Sequence, residues 1–282
     1  MQTFHTVTAL RDMLRPLREA GKRIAFVPTM GNLHDGHIRL VVRARESADL
    51  VVASIFVNPL QFNDKRDFDA YPVTIEEDTN KLVDNDVDIL FNPDVEQIYP
   101  GSMERSTRIE VLGLSQILCG QHRPGHFAGV ATVVAKLFNI VQPDVAVFGN
   151  KDYQQLLIIR RMVENLCMPI DIVGVETVRE PDGLAMSSRN GYLSVEERQR
   201  APVLFGTLQE ARDRILGGTT FQMVEAFGTE ELIKAGFRPE YFSIRRAVDL
   251  EDAIEGERDV VILAAAWLGK ARLIDNLLIN SA

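Results

Sequence analysis

The sequence predicts an α/β protein: a doubly wound parallel sheet followed by a smaller α+β domain. Three observations predict it. Short β-branched runs alternate with amphipathic stretches of helical period as far as about Val178. The rhythm breaks at the turn cluster Glu180-Pro181-Asp182-Gly183. Beyond it, two long helical patterns precede three strand-like runs, the last two joined by a short turn around Gly269.

In chain order, Leu10, Met13, Leu14 and Leu17 fall at helical spacing and predict a helix over 8–20. A strand follows over 22–28. A helix spans 36–48, with Asp35 placed to cap it. The Val- and Ile-rich segment 49–57 is a second strand. The helix over 74–85 opens with acidic residues, as the helix dipole favours. A third strand covers 87–91. A mostly apolar helix over 130–141 leads to a fourth strand, 144–148. Helix 152–166 and a fifth strand, 170–175, complete the first domain, residues 1–178. The second domain, 179–282, carries helices over 194–216 and 220–235, separated by Gly217-Gly218. Its strands cover 241–246, 259–267 and 271–277, the last pair forming an antiparallel hairpin.

Composition narrows the function. The 282 residues are 46% hydrophobic and carry a formal net charge of -9. An acidic balance argues against a general nucleic-acid binder, whose footprint is basic. It leaves room for a nucleotide, because local cations and helix ends bind phosphate inside an acidic protein. Two cysteines, Cys119 and Cys167, make no disulfide framework. The N-terminus lacks the pattern of a signal peptide. The longest apolar run, 260–268, falls far short of a membrane span. The expectation is a soluble cytoplasmic protein with no nucleic-acid or membrane partner.

The segment Pro28-Thr29-Met30-Gly31-Asn32-Leu33-His34-Asp35-Gly36-His37 is the most informative. It lies where a buried strand hands over to a helix, the place where open parallel sheets bind ligands. The helix start offers free N–H groups to phosphate, and glycine lets the backbone approach a ligand closely. Imidazoles at His34 and His37 can donate to phosphate oxygens. When a carboxylate attacks an α-phosphate, such donors stabilise the charge that builds there.

A second junction, Gly149-Asn150-Lys151-Asp152-Tyr153-Gln154-Gln155, places Lys151 to neutralise phosphate and Gln155 one turn into a helix. Met186-Ser187-Ser188-Arg189 supplies two hydroxyls and a guanidinium in a loop able to close over a triphosphate. After the second strand, Asn58 and Gln61 flank Pro59 and Leu60 and could orient a small polar substrate. Arg123-Pro124-Gly125-His126-Phe127 sets a cation and an imidazole in a loop before an apolar helix. No zinc-ligand spacing occurs, so any metal would be Mg²⁺ held mainly by phosphate oxygens.

The His-x-x-His junction resembles the nucleotide-binding motif of class I aminoacyl-tRNA synthetases and nucleotidyltransferases. Together, the five segments closely resemble the pantoate–β-alanine ligase (pantothenate synthetase) family, through nearly the whole chain. The match extends to Ala265-Ala266-Trp267-Leu268-Gly269 and Arg272-Leu273-Ile274-Asp275-Asn276. The resemblance implies a Rossmann-like domain over 1–178 that binds ATP and pantoate. It implies a lid domain over 179–282 and a homodimer. It implies that ATP adenylates pantoate and releases pyrophosphate, and that β-alanine then displaces AMP to give pantothenate for coenzyme A synthesis. By the same resemblance, Met30, Gly31, Asn32, Leu33, His34, Asp35, Gly36 and His37 cradle ATP. Gly149, Asn150, Lys151, Asp152, the backbone of Val178, Met186, Ser187, Ser188 and Arg189 also bind it. Gln61 and Gln155 bind pantoate, and His37, His34 and Lys151 carry the chemistry, with Mg²⁺ accompanying ATP.

The chain departs from the family at two carboxylates. Asn150 stands where Glu is usual, and Cys119 where Glu is frequent. Each exchange removes a charge, which implies altered nucleotide affinity; comparing the ATP affinity of Asn150→Glu with that of the parent tests this. Two other readings compete. A nucleotidyltransferase would retain the nucleotidyl group in its product instead of releasing AMP. A non-catalytic nucleotide-binding protein would keep the fold without turnover, but both histidines and Lys151 are present. An RNA-binding synthetase relative fits poorly with the acidic charge.

Overall fold

Mostly apolar runs suit strands buried on both faces, and such runs build the central strands of the first sheet. The computed structural model describes residues 1–63, 68, 69 and 71–279. Six strands pair in parallel: β1 (Gln2–Phe4), β2 (Ile24–Thr29), β3 (Leu50–Ile55), β4 (Ile89–Phe91), β5 (Val145–Gly149) and β6 (Asp171–Val175). Their order is β1-β4-β3-β2-β5-β6. β2 pairs with β3 from Ile24↔Leu50 to Thr29↔Ile55, and on its other side with β5 at Ala25↔Val145 and Phe26↔Ala146. The strand order therefore reverses between β2 and β5. At such a switch point a crevice opens outside the carboxyl ends of the strands.

Helices α1 (Val7–Glu19), α2 (Asp35–Arg45), α3 (Ile75–Asp84), α4 (His126–Val141) and α5 (Tyr153–Asn165) accompany this sheet. Alternate residues of a strand face opposite ways. Ala25 and Val27 of β2 pack with Val41 and Ala44 of α2 and Leu82 of α3. On the opposite face, Phe26 meets Phe138 of α4 edge-on at 6.4 Å, and Phe138 meets Phe148 at 6.3 Å. Both faces are thus covered.

A second core lies under a three-stranded antiparallel sheet of β7 (Arg238–Arg246), β8 (Val260–Leu268) and β9 (Ala271–Ile279). Leu204 and Leu208 of α6 (Val203–Leu216) and Val224 and Leu232 of α7 (Phe221–Lys234) pack there with Ile262, Ala264 and Leu273. The chain divides into two compact units. One is Met1–Asn150 with Ile158–Glu176; the other is Lys151–Leu157 with the segment from Thr177 onward.

Several boundaries differ from expectation. β1 was not foreseen, because three residues at a sheet edge carry no hydrophobic run. α4 starts at His126 rather than 130, so His126 is a helical residue, not a loop residue. The helix expected over 194–216 breaks into Val195–Arg200 and α6. Pro202 has no N–H to continue the ladder, so the helix stops there even though Ala201 keeps helical backbone (φ −53°, ψ −36°). β7 begins at Arg238, with a bulge between Pro239 and Tyr241. Among the described residues no helix is long and apolar enough to cross a membrane.

Candidate active site

The loop leaving β2 turns on two consecutive left-handed residues, Gly31 (φ 81°) and Asn32 (φ 51°). A Cβ on Gly31 would lie 3.0 Å from Asp78 Oδ2 and 3.1 Å from Ile55 Cγ2, so glycine is needed for space as well as for φ. Asp78, on α3, is 1% exposed. Its two oxygens accept the backbone N–H groups of Asn32 and Leu33, each at 2.7 Å. The Thr74 hydroxyl donates to the same carboxylate at 3.1 Å, and Lys81 Nζ donates to the Leu33 carbonyl at 2.6 Å. Thr29 donates to the Ser54 carbonyl and accepts from Gly31 N. The loop is therefore fixed from α3 and from β3.

The structure corrects the expected cap of α2. Asp35 is the first helical residue, and His34 is the N-cap, with extended backbone (φ −125°, ψ 175°). His34 Nδ1 accepts from Gly36 N at 3.2 Å, and His37 Nδ1 accepts from His34 N at 3.2 Å. This is a reciprocal capping box made of two imidazoles. It has a chemical consequence. A backbone N–H can only donate, so each Nδ1 must keep its lone pair and each neutral ring carries its proton on Nε2. The ring centroids lie 4.1 Å apart. The capping thus leaves the proton of each neutral ring on Nε2, beside the positive end of the helix dipole. Asp35 remains favourable there as a first-turn acid.

Gln61 closes the short 3₁₀ turn Pro59–Gln61, which Asn58 caps. Asn58 Oδ1 accepts from Leu60 N at 3.3 Å and from the Tyr99 hydroxyl at 2.8 Å. Its Nδ2 donates to the Gly129 carbonyl at 3.1 Å and to Gln61 Oε1 at 3.2 Å. Backbone partners at both ends fix which way the Asn58 amide points. They consequently fix Gln61, whose Oε1 is occupied and whose Nε2 lies 2.7 Å from Met30 Sδ. Burial raises the Tyr99 pKa well above its ordinary value, so the hydroxyl stays a donor. His126 Nδ1 lies 2.8 Å from the Gln61 carbonyl and its Nε2 3.1 Å from Arg123 Nη1. Since a carbonyl only accepts and a guanidinium only donates, His126 is the Nδ1–H tautomer, opposite to His34 and His37.

Gly149 ends β5, whose other neighbour in the sheet beside β6 is β2, and Asn150 follows it. A Cβ on Gly149 would meet no atom within 4 Å. The first unit therefore holds Met30 to His37, Gln61, Gly149 and Asn150, with Gln61 brought against Met30. Cys119 is buried and forms no disulfide; it opens the helical turn Cys119–His122.

The second unit holds Lys151, Asp152, Gln155, Val178 and Met186 to Arg189. Lys151 Nζ is 3.8 Å from Asp152 Oδ2. Gln155 is half-buried near the start of α5. Val178 accepts the backbone N–H of Met186 at 3.0 Å, and Arg179 and Ala185 form an antiparallel bridge, so Val178 and Met186 are partners in one small ribbon. Ser187 caps the 3₁₀ turn Ser188–Tyr192 by accepting from Arg189 N. The ribbon is anchored by Arg179, which binds both oxygens of Asp275 at 2.6 and 3.0 Å and stacks on Phe205 at 3.5 Å.

Sequence reasoning assigned no role to Asp78, Thr74, Tyr99, Arg179, Asp275 or Asn276. The Thr74-x-x-x-Asp78 spacing was visible, but it reads as an ordinary acidic first turn. Among the described residues no three histidines, cysteines or carboxylates gather as metal ligands.

Comparison with known proteins places this arrangement. A family model described as pantoate-β-alanine ligase matches residues 2–278. The pantothenate synthetase of Nitrosococcus oceani is 55% identical over 278 residues, covering 98% of this chain and 97% of that protein. That of Pseudomonas putida is 55% identical over 281 residues, covering 99% and 98%. The crystal structure of pantothenate synthetase from Thermus thermophilus superposes with a TM-score of 0.93 at 46% identity, covering 100% of both chains. The pantoate-β-alanine ligase of Francisella tularensis, solved in complex with β-γ ATP and β-alanine, gives a TM-score of 0.82 at 34% identity, covering 99% and 97%.

Proposed function

The chain belongs to the pantoate–β-alanine ligase family, and from that premise we propose that it joins pantoate to β-alanine through a pantoyl-adenylate. ATP adenylates the pantoate carboxylate and pyrophosphate leaves. The β-alanine amine then attacks the acyl carbon, and AMP departs with the pair of electrons from the broken acyl–oxygen bond. The product, pantothenate, feeds coenzyme A synthesis. The Francisella tularensis relative, solved with β-γ ATP and β-alanine, supports both ligands.

The observation that carries this reading is the pair of Nε2–H donors, fixed by mutual capping at the start of α2. They are suited to an α-phosphate whose charge grows as the carboxylate attacks, because rigid donors need no reorganisation at that moment. Gln61, with its oxygen occupied by Asn58, offers its NH₂ to a pantoate oxygen. Lys151 supplies a cation to the phosphates. Gln155 completes the pantoate contacts. Asp152, Val178 and the loop from Met186 to Arg189 bind the nucleotide. The second unit serves as a lid that keeps water from the adenylate. Mg²⁺ enters as the counter-ion of the triphosphate, held by phosphate oxygens. The enzyme works as a cytoplasmic homodimer.

Product analysis by mass spectrometry, with pantoate, ATP and Mg²⁺ and with or without β-alanine, tests the proposal. Pantothenate and AMP forming only when β-alanine is present is the expected result. A retained nucleotidyl product would instead identify a nucleotidyltransferase, and no product from folded protein would point to a non-catalytic role.

A further inference from the structure

Two adjacent residues of β9 contact two separate segments of the second unit. Successive strand residues point to opposite faces of a sheet. Asp275, 3% exposed, turns to the face of the second core and holds Arg179 through both carboxylate oxygens. Arg179 in turn donates to the Gly183 carbonyl at 3.1 Å, which closes the ribbon whose ends are Val178 and Met186. Asn276, 8% exposed, turns to the other face, and its Nδ2 donates to the main-chain carbonyl of Lys151 at 2.9 Å. This contact joins positions 125 residues apart in the chain. The Asn276 backbone N–H also donates to Asp275 Oδ1 at 2.8 Å, which stiffens the pair.

We propose that Asn276 is the positioning residue for Lys151, and that Asp275 and Asn276 together hold the Lys151 turn and the Val178–Met186 ribbon in fixed relation. The inference rests on the nucleotide role given above to Lys151, Val178 and Met186. Lys151 is a long side chain with many rotamers, and its reach is set by where its main chain is pinned. A donor on the Lys151 carbonyl pins it directly. β8 and β9 pair continuously from Val260↔Ile279 to Leu268↔Ala271, so the anchor is a rigid strand and not a loop. Asp275 and Asn276 face Ala264 and Leu263 across that ladder.

The test compares Asn276→Ala and Asn276→Asp with the parent in three measurements: ATP affinity by calorimetry, the rate of adenylate formation, and the rate of β-alanine attack on supplied pantoyl-adenylate. Asn276→Asp is nearly isosteric but sets an acceptor against the Lys151 carbonyl, so it serves if the alanine variant fails to fold. A displaced Lys151 should weaken ATP binding and slow adenylate formation roughly ten- to hundredfold, while the attack on supplied adenylate changes little. A merely structural role would lower the melting temperature and both half-reactions together, and that result overturns the proposal. So does a folded Asn276→Asp variant whose ATP affinity equals that of the parent. Parent protein that binds ATP but makes no pantothenate would overturn the ligase reading alone, since the affinity comparison still decides the role of Asn276.

Discussion

Replacing Asp78 with asparagine is the sharpest probe of the loop proposed to hold phosphate. The change keeps the shape and removes one acceptor. Asp78 Oδ1 takes Leu33 N, and Oδ2 takes Asn32 N and the Thr74 hydroxyl. An asparagine must aim its NH₂ at one of the two backbone N–H groups, whichever way it turns. If it faces Asn32 N, the Thr74 hydroxyl can rotate and accept from it, so this orientation is the less costly. One buried N–H is still left without a partner, at about 1–3 kcal/mol. The surviving bond also loses its charge assistance, worth about 1 kcal/mol more. The expected destabilisation is about 2–4 kcal/mol. At about 2–4 °C per kcal/mol for a domain of this size, the melting temperature should fall by roughly 4–16 °C. The assay is thermal unfolding followed by circular dichroism, with and without ATP. Because the loop being loosened is the one proposed to hold phosphate, the KM for ATP should rise as well. A melting temperature within about a degree of the parent, with unchanged KM, would refute the claim that this carboxylate holds the loop.

Further outcomes are expected. His34→Asn preserves a strong N-cap but removes the Nε2 donor, so stability should stay within about 0.5 kcal/mol while adenylate formation falls by about 10²-fold or more; retained activity would assign His34 to capping alone. Gly129→Ala would place a Cβ against the Leu60 carbonyl and 2.8 Å from Gln61 N, costing about 1–3 kcal/mol and raising the KM for pantoate, checked by melting and steady-state kinetics. Lys151→Ala should slow adenylate formation far more than attack on preformed adenylate in single-turnover assays; equal losses would contradict its role. The hydrogen bond from Arg198 holds the Asp182 carboxyl below its usual range. A depressed carboxyl contributes stability above its unfolded pKa and loses it as pH falls through the folded one. The stability gap between parent and Arg198→Gln should therefore be constant above about pH 5 and vanish in stronger acid, read by denaturant melts across pH.

The sheet was legible because β2, β3 and β5 are mostly apolar runs, and the candidate site was suggested by two histidines and two glycines placed where β2 ends. What stayed hidden depends on partners far along the chain. Asp78 acts on Asn32 and Leu33 from 46 and 45 residues away, and nothing in its own neighbourhood distinguishes it from Glu76 or Glu77. Asp275 and Asn276 stood in a noticed segment, but only the topology of β9 brings them to Arg179 and Lys151. The cap was misplaced by one residue for a different reason. Asp is the commoner N-cap, and an imidazole taking that place is apparent only when both Nδ1 atoms are seen accepting. The break at Pro202 could have been suspected from the sequence, since proline removes a helix hydrogen bond, although α1 accommodates Pro16 without breaking.

The discontinuous second unit limits how this protein can be recombined. Residues 151–157 belong to it although the chain returns to the first unit at Ile158. Helix α5 is thus shared property, with its first turn on one side of the division and the remainder on the other. A graft that exchanged everything after residue 176 with a relative would leave the recipient's Lys151 facing a foreign Asn276. Because the acceptor is a main-chain carbonyl, any residue at 151 supplies it, so such a chimera should keep the contact wherever its donor strand carries an asparagine at 276 and lose it where the strand does not.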